Sequence, residues 1–175
     1  KQLIQYIVEI DDYYHEYQVQ LPEFIDIINA RFYIQIGNET EIASWIKDVA
    51  PDVHTEHPIW LGKNYVFSAI YYLYKADYAK SMAAISQLEY ILNQRGLWCV
   101  RLTAYIIRAI IYAHYDNHEL ALRDFWQAYQ MAHENNIIYP FVEFEHYMQQ
   151  LVQMAMDSND YSFDRQWLQK VQQGA

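Results

Sequence analysis

Ala69-Ile70-Tyr71-Tyr72-Leu73-Tyr74-Lys75-Ala76-Asp77-Tyr78-Ala79-Lys80-Ser81 is repeated, type for type at its key positions, by Ala109-Ile110-Ile111-Tyr112-Ala113-His114-Tyr115-Asp116-Asn117-His118-Glu119-Leu120-Ala121 further along the chain. A third copy precedes them, so that Ala30-x-x-Tyr33-x-x-x-Gly37, Ala69-x-x-Tyr72-x-x-x-Ala76 and Ala109-x-x-Tyr112-x-x-x-Asp116 share one pattern. Each is followed by a second apolar segment: Ile42, Ala43 and Ile46; Met82 and Ile85; Ala121, Leu122 and Phe125. A fixed period of about 40 residues is the signature of stacked helical hairpins, in which each unit buries its apolar face against the next.

Working outward, composition agrees with an all-α chain. Only four Gly and four Pro interrupt 175 residues that are 53% hydrophobic, and Ala, Leu, Gln and Glu fill the periodic segments. The 18 tyrosines are expected to act mostly as amphipathic wedges, rings buried and hydroxyls at the edge. The net charge is −10. Residues 1–58 carry three Lys/Arg against eleven Asp/Glu and residues 59–175 carry nine against eleven, so neither part offers the clustered cations that phosphate binding needs. Direct nucleic-acid binding is therefore not expected. One cysteine, Cys99, permits no internal disulfide and fits a reducing compartment. No segment reaches the roughly 20 apolar residues needed to cross a bilayer, no signal-peptide core opens the chain, and the cytoplasm is the expected location.

The chain reads as one helical domain over 1–175, a segment of a longer protein. A short helix near Leu3 to Ile10 leads to Leu21-Pro22, where proline suits a helix start. Three hairpins follow within 22–136: 22–36 with 39–49, 59–75 with 77–94, and 97–115 with 117–135. Gly37-Asn38 is a left-handed turn pair, Asp77 and Ser81 lie where acceptor side chains cap a helix, and Asp116-Asn117 makes the third corner. Beyond Pro140, Phe141, Phe144, Met148, Leu151, Val152 and Ala155 recur at helical spacing over 141–156, and Trp167, Leu168 and Val171 mark a last short helix. These elements do not match the repeat and are expected to cap or link it over 141–175.

The repeated Ala30, Ala69 and Ala109 would let paired helices approach closely, with the tyrosines filling the closed end of each hairpin. The corner Tyr71 to Ser81 resembles a tetratricopeptide hairpin. From Gly96 to Glu143, the corner Ala109 to Leu122, then Ala128-Tyr-Gln-Met-Ala132, then Ile137-Ile138-Tyr139-Pro140-Phe141-Val142-Glu143, is similar to the superhelical repeat domain of MalT-type, LuxR-family transcriptional activators. Asn136 stands where that family usually has Gly, and Tyr139 where it usually has Arg. The resemblance spans roughly 22–156 and implies a right-handed superhelix of antiparallel hairpins, a tetratricopeptide-like α-solenoid. It also implies a job: an effector-sensing and protein-interaction segment, lying between an ATP-binding switch module and a promoter-binding helix-turn-helix. Neither a G-x-x-x-x-G-K-[ST] loop nor such a helix pair occurs in these residues.

In tetratricopeptide arrays the first helix of each hairpin lines the concave face. By that resemblance the ligand-binding groove would draw on Arg31, Ile70, Tyr74, Ile110 and His114, and Arg108, set among apolar residues, would anchor a ligand or pair with Asp124. The expected partner is a small-molecule effector or a regulatory protein, together with other domains of the same regulator and further copies of itself. No membrane, cofactor, metal or catalytic role is expected. Glu143-x-x-His146 has the spacing of half a di-iron site but lacks a matching second half, Asp12-x-x-His15 lying far off. The loop His54-x-Glu56-His57 reads as solvated, the turn splits His114 from His118, and Cys99 reads as an inert, partly buried thiol. The alternative function is a stand-alone tetratricopeptide adaptor that holds protein partners without effector or transcriptional role.

Overall fold

The computed structural model describes residues 30, 32–34, 36–42, 58–94 and 98–174. Among them every regular element is helical: α1 (Pro58–Tyr74), α2 (Tyr78–Gln94), α3 (Trp98–His114), α4 (His118–Ala132), α5 (Tyr139–Val142), α6 (Glu145–Asp157) and α7 (Arg165–Gly174), with 3₁₀ turns at Glu39–Glu41 and His133–Asn135. None of these helices is long and apolar enough to cross a membrane. Of the earliest hairpin, helical backbone at 30, 32–34 and 36 runs into Gly37. The expected start of its second helix is a 3₁₀ turn, and 43–49, like the N-terminal segment, lies outside the described residues.

The repeat is explained by how each first helix ends. At Gly37, Ala76 and Asp116 the backbone turns left-handed, with φ of 71°, 55° and 55°. In each case the N–H of the turning residue donates to the carbonyl three residues back (Ile34, Leu73, Ala113), and the next N–H donates to the repeated tyrosine: Asn38 to Tyr33, Asp77 to Tyr72 and Asn117 to Tyr112, all at 2.9 Å. This paired arrangement closes the orphan carbonyls of a helix C-terminus. The pattern tyrosine-x-x-x-Gly/Ala/Asp is thus a cap, and its tyrosine sits where the cap needs a carbonyl. The following residue starts the next helix: Asn117 Oδ1 accepts from Leu120 N–H at 3.3 Å, and Asp77 Oδ1 from Lys80 N–H at 3.2 Å. That backbone bond, then the Lys80 ammonium, holds the Asp77 carboxyl below its usual range. A fourth corner of the same kind ends the His133–Asn135 turn, with Asn136 at φ 51° and Ile137 N–H donating to Ala132.

Packing follows from the small residues. Ala30, Ala69 and Ala109 are all fully buried, as are Ala84, Ile85 and Leu88 on α2 and Ala121, Phe125 and Ala128 on α4. α1 lies along α2 and α3 along α4; α3 also packs on both α1 and α2, and α6 on both α3 and α4. One continuous core runs from Tyr65 to Val171, each fully buried Leu, Ile or Phe contributing about 1.5–3 kcal/mol. Residues Ala30 and Ile42 join Phe67 and Tyr71 in a smaller cluster. The closing elements use the positions the periodicity marks: Phe141, Phe144, Met148, Leu151, Val152, Ala155, Trp167, Leu168 and Val171 are all buried.

The expected single helix over 141–156 is instead bent. Phe144 N–H donates to Phe141 and Tyr147 N–H to Phe144, so the chain tightens to three-residue bonds between α5 and α6. Such bonds eclipse residues three apart, which brings Phe141 and Phe144 to the same side, both buried. The segment before α7 is strapped to α4: Asp164 N–H donates to the Tyr129 hydroxyl at 3.0 Å, and Phe163 meets the rings of Phe125 and Trp126 at 5.6 and 5.0 Å.

Candidate functional site

At the α1 corner Tyr74, the last residue of the helix, donates its hydroxyl to the Glu143 carbonyl at 3.3 Å in the α5–α6 bend. Tyr147, on α6, reaches back to the same corner and donates to the Leu73 carbonyl at 3.4 Å. Its phenol is pushed up to about 12, first by burial and then by the neighbouring Tyr78 and Tyr74 phenol groups. Tyr78 in turn stacks on the imidazole of His114, ring centres 3.8 Å apart and planes 22° from parallel, with Tyr115 edge-on to both. Two repeat corners and the bend therefore meet in one aromatic cluster.

Beside that cluster is a cleft of about 470 Å³ lined by Tyr74, Tyr139, Glu143, Glu145, His146 and Tyr147, with Val142 and Phe144 completing the wall. Tyr139 is 69% exposed at its rim, and Glu145 and His146 are exposed as well. A second cleft, about 620 Å³, lies between the start of α4 and the end of α6, with His118, Leu122, Gln150, Met154 and Asp157 on its walls.

Of the residues expected to bind a ligand, the structure brings Tyr74 and His114 to the aromatic cluster, and of these Tyr74 also lines the cleft. Ile70 and Ile110 are 3% and 2% exposed and belong to the continuous core, because α1 and α3 are each packed against more than one neighbouring helix. Arg108 is engaged elsewhere. Its Nε and Nη2 donate to the two carboxylate oxygens of Asp124 on α4 at 2.7 and 2.8 Å, and its Nη1 pairs with Glu89 on α2. The guanidinium also lies over the Tyr105 ring, 5.4 Å from its centre. Asp124, 1% exposed, receives Arg123 as well at 3.1 Å. Arg108 thus ties α3 to its two neighbours, the pairing with Asp124 being the one its position in an apolar run requires. Arg31 lies outside the described residues, as do His15, His54, Glu56 and His57.

Glu143 and His146 both line the cleft, but among the described residues no group of three or more His, Cys, Asp or Glu side chains stands together as a metal site would. His114 ends α3 and His118 begins α4, so the corner does separate them. Cys99, expected to be partly buried, is exposed: it falls on the outer side of the first turn of α3. The sequence reading missed Tyr139, Glu145 and Tyr147. They converge with Tyr74 from a distant part of the chain and leave no local mark in the sequence. Comparison of the chain with protein-family models, with curated proteins and with solved structures finds no match.

Proposed function

We propose that this chain is the sensor and interaction segment of a MalT-type, LuxR-family activator, its hairpins continuing as a right-handed, tetratricopeptide-like superhelix. It takes an inducer or a regulatory protein at the cleft between the α1 corner and the α5–α6 bend, in the cytoplasm and without catalysis, cofactor or direct DNA contact. The observation that carries this reading is the junction itself: Tyr74, Tyr78, His114 and Tyr147 join two repeat corners to the bend, so a ligand in the adjoining cleft touches several packed helices at once. Differential contact with more than one element is what allows binding to shift packing. The resemblance supplies the regulatory context, and the recurrence of one cap at Gly37, Ala76 and Asp116, evenly spaced along the chain, supports the repeat architecture.

The reading is tested in two steps. The complete reading frame should place a phosphate loop upstream and a helix-turn-helix downstream, and a frame of about this length lacking both overturns the regulator assignment. In the protein, Tyr74→Ala and His114→Ala should weaken binding of an effector found by thermal-shift screening while the unliganded fold persists. Unchanged affinity in both variants removes the site from this corner.

The openness of the cleft, with Tyr139, Glu145 and His146 exposed at its rim, favours a second reading, an adaptor that holds protein segments only. Capture of a stable protein partner, with no thermal shift across a metabolite library, selects that reading.

A further inference from the structure

α6 packs on α3 and α4 as α3 packs on α1 and α2, so α6 and α7 stand where a further hairpin would. Its corner breaks the repeat. The two hairpins before it turn within three residues, 75–77 and 115–117, whereas seven residues, 158–164, separate α6 from α7, and Ser158 leaves α6 extended, at φ −79° and ψ 140°. This longer loop is pinned by rings of α4: Tyr161 stacks on Trp126 with centres 5.4 Å apart, Phe163 meets Trp126 edge-on at 5.0 Å, and the Tyr129 hydroxyl accepts from Asp164 N–H. Ser158, Asn159 and Asp160 line the cleft of about 620 Å³ between α4 and α6.

Leu122 and Met154, both half-buried, supply the apolar part of that cleft. One Asp157 oxygen accepts from Gln153, and Ser158 Oγ accepts from Asp160 N–H. The Asp160 carboxylate and the Gln150 and Asn159 amides have no partner among the described residues. Among the lining residues two carboxylates are set against one group that can become cationic, His118, itself 3.9 Å from Asp116, and Glu119 in the first turn of α4 adds negative charge nearby. The chain's net charge of −10 has the same sign, so it draws in a basic partner and repels an acidic one or a second copy of this chain. A small-molecule pocket buries most of its ligand; this cleft is largely open and suits a segment of chain laid across it. We infer that it docks a short basic segment of a partner protein, one apolar side chain seated on Leu122 and Met154, a flanking Lys or Arg on Asp157 and Asp160, and the segment's backbone on the Gln150 and Asn159 amides. This surface is separate from the cleft at the α1 corner.

Fluorescence anisotropy with the labelled peptide Lys-Leu-Lys-Leu-Lys, its acidic counterpart Glu-Leu-Glu-Leu-Glu and the floor-blind Lys-Ser-Lys-Ser-Lys tests this. The first should bind saturably at one site, more weakly as salt is raised, and both others at least about 5-fold more weakly, the scale of two exposed charge contacts. Asp157→Asn/Asp160→Asn, at two exposed positions, should weaken the first peptide by a similar factor while the melting temperature of the free protein stays the same. Glu145→Gln, in the other cleft, should leave its affinity unchanged. Absence of binding by Lys-Leu-Lys-Leu-Lys overturns the inference, as does unchanged affinity in the double variant or equal binding of the acidic peptide. Equal binding of the serine peptide removes the apolar seat and overturns it as well. Spermidine that competes the peptide off at equal concentration overturns it in favour of a free amine, and loss of binding in Glu145→Gln moves the peptide to the α1 corner.

Discussion

With Ala69 aligned on Ala109, the α1–α2 and α3–α4 hairpins match nearly position for position, and differ where it costs most to differ. Ala69 and Ala109, Ile70 and Ile110, Ile85 and Phe125, and Leu88 and Ala128 are equivalent and buried in both. Ser68 and Ala84, each fully buried, are replaced in the second hairpin by Arg108 and Asp124, a bidentate ion pair with Asp124 1% exposed. Both hairpins nonetheless turn at the same backbone angle of 55°. The corner is thus set by main-chain hydrogen bonds, and the space between the helices can be filled by small groups or by paired charges. The ion pair contributes something the small pair cannot: by reaching Glu89 as well, Arg108 links the second hairpin to the first.

The sharpest way to break this comparison is to orphan the charge. Arg108→Met leaves Asp124 buried with only the partly exposed Arg123 beside it, and should cost about 3–5 kcal/mol, lowering the melting temperature by roughly 10 °C at this chain length. The double variant Arg108→Met/Asp124→Ala, which restores the uncharged filling of the first hairpin, should recover most of that loss in thermal unfolding followed by circular dichroism. A double variant as unstable as the single would mean that the two hairpins are not interchangeable at this position.

A smaller effect separates the two corners. Ala76 and Asp116 both carry side chains at left-handed φ, a conformation that costs a non-glycine residue about 1–2 kcal/mol and is better tolerated by Asp than by Ala. Ala76→Gly should therefore add about 1 kcal/mol of stability, read as a higher urea midpoint, and Asp116→Gly should add less. Equal gains, or a loss at Ala76, would contradict the shared cap.

The smallest effect concerns the junction. Because the folded-state phenol of Tyr147 is raised from its ordinary value of 10 to about 12, the native state holds that proton more tightly than the unfolded chain. Its contribution is complete below pH 10 and is lost as the pH rises from 10 towards 12. The alkaline fall in stability should be shallower in Tyr147→Phe than in the parent protein, and identical slopes would remove Tyr147 from the linkage.

Much of this molecule is legible without coordinates, for reasons particular residues make plain. Gly37-Asn38 and Asp116-Asn117 mark turns because their residue types suit left-handed backbone and helix capping, both local properties. Phe141 to Ala155 and Trp167 to Val171 mark buried faces because helical periodicity is local too. The bend at Phe144 escaped that reading, since two phenylalanines three apart fit either a straight helix or a tightened one. Ile70 and Ile110 escaped it because a residue one step from a buried alanine faces the core or the groove according to which helices pack around it.

The sequence by itself determined that the chain is helical, where its hairpins turn, and which faces of its closing helices are buried, since capping and periodicity act within a few residues. Only the tertiary structure decided that Arg108 binds Asp124 and Glu89 on two other helices, and that Tyr139, Glu143 and Tyr147 meet Tyr74 in one cleft. Those meetings depend on how whole hairpins stack. Stacking is governed by the summed burial of many side chains, which no short stretch of sequence records.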